Sequence, residues 1–593
     1  MGAAAGGLAG RGHRGCPGPR PGQPHANRAR RVGGQPERAP AGGAGRLRRD
    51  VGLPQGGVRA SGPEPGGDRP ARPASGEAGG DPRNLPGWDS PRSQGFRRPP
   101  AAPRRPRNRR RDGARRGSGD ARRRRPERVI PQRAQSARSL LFQPFPIGQG
   151  GLVLPNRIWL PAMVTWRGTE DGFVTPSVRE IYLRYALGGA GMIVLEATGI
   201  RDVASGPLLR LSHERFVPGL KALRQEMRAV SASIVVPQII DFLKIATRKP
   251  TRVFMEDAVR RGALAESVLD VSDAEFEAGL ERYVQGPRLR HDFLYGYRQT
   301  IEDLSREEIR QIPGWFASAA RRAKQAGFEG VELHFAHAYT MASFLSVTNG
   351  RTDDYGGSFP NRMRLPLEVI RAVREEAGTE FLVGCRYLGS EDIRGEDGQI
   401  RGNTLADAQA IGVELARAGL DFLSISRGGK FEDAKQPPIG EAMYPYTGHS
   451  GHTCIPRGKN DPFGVNAHLA AGIRQALRAA GFATPVVASG KIVTFDQAEG
   501  LLRAGQADLV GMARALLADP DLPLKWQAQA DAKARACVFC PFCEQEDQRH
   551  RVVTCTLWPK DPADHRRRLT PAAWRPDAPW DPHEAFDATA DDL

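Results

Sequence analysis

The sequence predicts an α/β fold, a (β/α)8 or TIM barrel, with a basic N-terminal tail and a short C-terminal cysteine-cluster segment. Between about Leu140 and Trp526, short β-branched runs alternate with amphipathic helical stretches, the pattern of parallel β/α units. Eight such runs over more than 350 residues match a closed eight-fold barrel. A doubly wound open sheet is the runner-up, but no GxGxxG follows the first run to support it.

In chain order, residues 1–138 come first. They hold 32 Arg, no Lys and 10 Asp plus Glu, a net of +22, whereas the other 455 residues carry 54 basic against 57 acidic side chains. The formal charge of +19 therefore belongs to this tail, and no nucleic-acid reading survives for the rest. Gly, Pro, Ala and Arg with few large apolar side chains cannot bury enough surface to offset chain entropy, so disorder is expected. The Arg runs suit weak, salt-dependent binding of nucleic acid or anionic lipid. The plainer expectation is a solvated tail, or an upstream stretch absent from the mature protein. No apolar signal region follows Met1 and no run of about 18 apolar residues occurs, so a cytoplasmic protein without a membrane span is expected.

The barrel is expected over residues 139–530. Its strands are read at RIWLPAM, GMIVLEA, SIVVPQI, GVELHFA, FLVGCRY, FLSISRG, PVVASGK and ADLVGMA. Helices are read at REEIRQIPGWFASAARRAKQAG, LPLEVIRAVREEAG, TLADAQAIGVELARAG and FDQAEGLLRAG, closing on Gly as a left-handed C-cap requires. The stretch from about Lys244 to Thr300 exceeds a plain βα loop. It is read as either a lid over the site or a surface excursion. Residues 531–593 complete the chain as a cysteine segment and tail, with Trp574 and Trp580 read as docking aromatics at most.

Chemistry in such a barrel gathers at the C-terminal ends of strands. Those positions hold Pro161, Ala162 and Met163, then Ala197 with Thr198, Gln238, His334 with His337 and Tyr339, Arg386, Gly490 with Lys491, and Arg514. The set suits a phosphorylated planar cofactor with a polar edge, and an acid above it. The last segment reads Cys537-x2-Cys540-x2-Cys543-x11-Cys555, four of the chain's seven cysteines. One Cys per iron is the need of a [4Fe–4S] cluster. Structural zinc, which favours two separated pairs, stays open as the alternative. Cys385, within a buried strand, is read as core, and Cys454 fits no ligand spacing.

The strand-four block GVELHFAHAYTMASFLSVTNGRTDDYGGSFPNRMRLPLEVIRAVREEAG resembles the signature of the old yellow enzyme family of FMN-dependent oxidoreductases. NRIWLPAM, EATGI, GCRYLGSED and DLVGMARALLADPDLPLK extend the resemblance over about Leu140 to Trp558. It implies that FMN lies along Pro161, Ala162, Met163 and Ala197, with Gln238 on its pyrimidine edge and Arg386 near N1 and C2. It implies a phosphate held by Gly490, Lys491, Ala513 and Arg514. His334 and His337 are then the pair that binds a substrate carbonyl, and Tyr339 the proton donor. The cysteine segment is similar to the iron–sulfur branch of the family, which includes 2,4-dienoyl-CoA reductase and trimethylamine dehydrogenase. The chain departs from the family after Gln238, where IIDFLKIA replaces the usual HxGR.

Three functional readings follow. The first is an FMN and iron–sulfur ene-reductase acting on an α,β-unsaturated carbonyl or enoyl thioester, with NAD(P)H as a donor. The second is a dehydrogenase of amines or other small molecules that passes electrons outward through the cluster. The third is not an enzyme in its own right but an electron-transfer subunit, or a barrel with a zinc-stabilised end and no turnover, against which the retained His334, His337, Tyr339 and Arg386 speak. Because the chain ends 38 residues after Cys555, without the further cofactor domains of multidomain relatives, an external redox partner is expected: a flavoprotein subunit, a ferredoxin or an electron-transfer flavoprotein. A homo-oligomer is compatible with all three readings.

Overall fold

The structure is a computed structural model. It describes residues 139–203, 206–458, 461–560 and 568, so the expected tail at 1–138 and both Trp574 and Trp580 lie outside the described residues. Eight parallel strands close a barrel: β1 (Ile158–Leu160), β2 (Met192–Gly199), β3 (Ile234–Ile240), β4 (Gly330–Phe335), β5 (Leu382–Leu388), β6 (Leu423–Ser426), β7 (Val486–Ser489) and β8 (Leu509–Gly511). Every one of the eight expected runs supplies a strand. The ring closes where β8 pairs with β1, Val510 opposite Ile158 and Gly511 opposite Trp159. Around it run α1 (Pro176–Leu187), α2 (Val217–Val230), α3 (Arg306–Gln325), α4 (Phe359–Ala377), α5 (Leu405–Arg417), α6 (Ala467–Ala479), α7 (Phe495–Arg503) and α8 (Ala513–Ala518).

Side chains alternate between the two faces of each strand, which sorts the sequence into two cores. Val331, Leu333 and Phe335 of β4, with Val383, Cys385 and Tyr387 of β5, face outward onto the helices. Trp159, Met192, Val194, Val236, Leu382, Phe422 and Val487 fill the barrel floor, joined by Ile147 and Leu154 of a short antiparallel hairpin, Phe145–Ile147 with Leu152–Leu154. At this level a side chain on Gly384 would put its Cβ 2.4 Å from the Phe422 ring, so only glycine lets the two strands share the layer.

Further along each inward face, the barrel turns polar over two successive levels: Gln238 on β3, Glu332 and His334 on β4, Arg386 on β5, Ser426 on β6. The strands are shorter than the expected runs at this end. Pro161 has no N–H for the ladder, and Lys491 leaves β7 at φ 55°. Three of the four expected helices start within a residue of their expected position, whereas α4 begins at Phe359, six residues ahead of the expected Leu365 and with Pro360 in its first turn. Ser305 and Glu308 form a capping box at the start of α3, and Gly327 at φ 84° closes its far end.

Residues 244–300 resolve into short helices with a core of their own, including Phe254, Met255, Phe276 and Phe293. This unit stands on a two-stranded stem, where Ile245 bridges Arg298 and the Ala246 N–H donates to the Tyr297 carbonyl at 2.8 Å. Among the described residues, no helix is long and apolar enough to cross a membrane.

Candidate functional site

The polar layer opens into a cavity of about 410 Å³ at the C-terminal end of the barrel. Of the expected residues, Ala162, Met163, Ala197, Gln238, His334, His337, Tyr339, Arg386, Ala513 and Arg514 line it. Pro161, Gly490 and Lys491 do not. The Lys491 ammonium instead donates to the carbonyls of Gly458 and Asp461, each at 2.5 Å. Strict alternation along β2 would point Glu196 inward. A register shift between Leu195 and Ala197 turns Ala197 to the cavity instead. Glu196 is then buried behind it, accepting from the Thr165 N–H and hydroxyl, and burial pushes its carboxyl up to about 7.

His334 Nε2 and His337 Nδ1 face each other at 3.2 Å, and His337 Nε2 meets the Ser426 hydroxyl at 2.9 Å. Burial, with Arg386 adding repulsion, holds the His334 imidazole down at about 3 and that of His337 well below its ordinary value. Both rings are therefore neutral at physiological pH. Burial and the neighbouring Asp547 carboxylate push the Tyr339 phenol above its ordinary value, so it keeps its proton. Tyr339 is braced by Phe242 and Phe431, with ring centroids 5.1 and 6.1 Å away. Below the cavity, Gln238 donates to Glu332 at 2.6 Å, and burial pushes the Glu332 carboxyl up to about 7 against the pull of Arg386.

Sequence reasoning missed one wall. The helix Phe542–Gln548 places Cys543, Glu544 and Asp547 on the cavity, followed by His550. Asp547 accepts from the Trp166 indole at 2.7 Å and the Tyr444 hydroxyl at 2.6 Å, and Trp166 stacks on His550. Burial raises the Asp547 carboxyl. The spacing Cys543 to Asp547, i to i+4, was the available signal, because it puts both on one helical face. Trp166, Leu243, His337 and His550 all line the cavity with φ between 53° and 58°, backbone strain of the kind that collects at functional sites. Ile245 and Thr247 of the 244–300 stem also line the cavity, whereas none of that unit's helices does.

A polar-edged cofactor fits these residues. On the cavity wall, Arg386 Nε, Arg514 Nη1 and His334 Nδ1 belong to lining residues and are buried without a hydrogen-bond partner, and such atoms are costly unless something meets them. A second, smaller cavity of about 10 Å³ adjoins, lined by Cys537, Cys540, Cys543 and Cys555 with Arg514 and Leu517. All four thiols are free, and the Phe539 N–H donates to Cys537 Sγ at 3.4 Å. Among the described residues, no three His, Cys, Asp or Glu side chains are arranged to hold a metal ion. A single zinc would draw its sulfurs to within about 3.8 Å of one another.

Residues 140–427 match the NADH:flavin oxidoreductase / NADH oxidase family. A metal reductase of Desulforamulus reducens is 31% identical over 438 residues, 73% of this chain and 56% of that protein. The chain belongs to this family. An N,N-dimethylglycine/sarcosine dehydrogenase of Chromohalobacter salexigens is 28% identical over 422 residues, 70% of this chain and 52% of that one. The chain thus spans a little over half the length of these curated relatives. Among solved structures, a 2-naphthoyl-CoA reductase bound to 2-naphthoyl-CoA superposes with a TM-score of 0.54 at 23% identity, covering 72% of this chain and 58% of that one. That likeness concerns the fold alone.

Proposed function

We propose that this flavin oxidoreductase reduces the C=C bond of an α,β-unsaturated carbonyl or enoyl thioester. The observation that carries the reading is two neutral imidazoles and a protonated phenol on one cavity. FMN supplies hydride when bound. Ala162, Met163, Ala197, Gln238, Arg386, Ala513 and Arg514 would hold it, with Arg386 offering charge to the reduced form. Gly490 and Lys491 join the phosphate side only if Lys491 exchanges its two carbonyls.

A neutral imidazole can present one N–H. A substrate carbonyl entering between His334 and His337 takes a hydrogen bond from each, so that negative charge can develop on its oxygen. The Tyr339 hydroxyl then delivers a proton to the α-carbon. Its place beside Phe242 and Phe431 keeps it in a dry, apolar corner of the cavity.

The four cysteines would hold a [4Fe–4S] cluster, which supplies a one-electron relay to an external redox partner. Four free thiols around one small cavity support this. A second reading, dehydrogenation of an amine with electrons leaving through the cluster, is favoured by one observation: the Asp547 carboxylate, set among Trp166, Tyr444 and Tyr446, suits a cation. Anaerobic half-reactions separate the two. Reduced protein reoxidised by an enone supports the first reading. Protein reduced by an amine without nicotinamide, and inert to enones, would replace it with the second. Metal analysis on the same sample, giving about four irons and four sulfides per chain, tests the cluster.

A further inference from the structure

Glu332 has no part in the chemistry above, yet it is 1% exposed directly behind Gln238, which lines the cofactor cavity. It lies two residues before His334 on the inward face of β4, opposite Gln238 on β3 and Gly384 on β5. Gly384 brings no side chain to that level, so Gln238 is the side chain that meets the carboxylate, at 2.6 Å. Glu332 Oε2 stays without a hydrogen-bond partner.

This geometry settles which way Gln238 points. A carboxylate can only accept hydrogen bonds, whereas a glutamine amide has a donating and an accepting end. With its NH2 held by Glu332, Gln238 turns its carbonyl oxygen to the cavity. Without that constraint the amide could present either end.

We propose that Glu332 is a positioning residue that locks Gln238 as a hydrogen-bond acceptor, and so selects a cofactor edge carrying an N–H donor, such as the imide N3–H of a flavin ring. The inference rests on the flavin reading above. The groups facing Glu332 are Gln238 from β3, Arg386 from β5 and His334 on its own strand, while Cys385 of β5 feels its charge from the outward face. When Glu332 takes up a proton, its O–H can donate to Gln238, the amide can turn, and the selection weakens.

The test uses the full chain stripped of flavin and titrated with FMN and with N3-methyl-FMN, following flavin fluorescence at pH 8 and pH 6. The ratio of the two affinities cancels the titration of the flavin phosphate, which both ligands share. Wild-type protein should favour FMN by about tenfold at pH 8, the worth of one hydrogen bond, and by less at pH 6. The E332Q variant, whose amide can donate or accept, should lose the preference at both pH values. The swapped pair Q238E with E332Q again turns an acceptor-only group to the cavity and should regain it.

A preference kept in E332Q, as simple steric exclusion of the methyl group would give, overturns the inference. So does a wild-type preference that is the same at pH 8 and pH 6, a result that needs no variant to fold. Wild-type protein that binds neither flavin removes the flavin reading and this inference together. FMN binding with an unaltered ratio removes the inference alone.

Discussion

Replacing Tyr339 with Phe removes one hydroxyl and little else. The ring keeps its edge contacts with Phe242, Phe431 and His334, at centroid distances of 5.1, 6.1 and 5.4 Å. Folding stability should therefore change by less than about 1 kcal/mol, the net worth of a single hydrogen bond. Catalysis should change far more. The wild-type phenol stays protonated through neutral pH, so every molecule carries the acid. His334 cannot replace it: with its imidazole at about 3, roughly one molecule in 10⁴ holds that proton at pH 7. The loss should reach the upper part of the usual general-acid range of about 10²–10⁴ in rate, or roughly 3–5 kcal/mol of barrier. Stopped-flow measurement of the two half-reactions isolates it. Reduction of the bound flavin by nicotinamide should keep its wild-type rate, while reoxidation by an enone slows. Wild-type reoxidation should show no step from the imidazoles or the phenol between pH 5 and 9, so any step near pH 7 belongs to another group such as Glu332. An Y339F enzyme that reoxidises at the wild-type rate would refute Tyr339 as the donor. Equal losses in both half-reactions would point to a disturbed fold instead.

Three further outcomes are expected. Glu196 has its folded value raised from 4.5 to about 7, so its contribution to stability is fully present below about pH 4.5 and fades as pH rises through 7. The E196Q variant should flatten that slope by roughly 3 kcal/mol between pH 4.5 and 7.5, read from urea midpoints at each pH. The D547N variant leaves the Trp166 and Tyr444 contacts one carboxylate oxygen short. Affinity for ammonium-bearing ligands should fall by about tenfold or more, while affinity for a neutral enone changes by less than about threefold, in flavin-perturbation titrations. G384A drives a methyl into the Phe422 ring and should cost about 1–3 kcal/mol in thermal unfolding, with F422L recovering part of the loss.

Much of this protein is local physics, and local physics is legible in sequence. β-branched runs mark β1 to β8, because a strand's side chains alternate with period two. The same alternation points Gln238, His334 and Arg386 inward, one layer above an apolar floor. Gly327 marks the end of α3, because only glycine takes a left-handed φ without penalty. Glu332 was equally within reach, two residues from His334 on the same face. Other features depended on surfaces far apart in the chain. The turn of Ala197 toward the cavity needed the register shift of β2 against β3, which no single strand's sequence reveals. The Lys491 ammonium met two loop carbonyls about 30 residues away instead of the cavity. Asp547 reached Trp166 across 381 residues of sequence, bringing the cysteine segment into the wall of the site. Sequence sets which face a residue presents, through periods of 2 and 3.6 residues. Which distant surface that face meets depends on how the finished elements pack, and only the tertiary structure decides it.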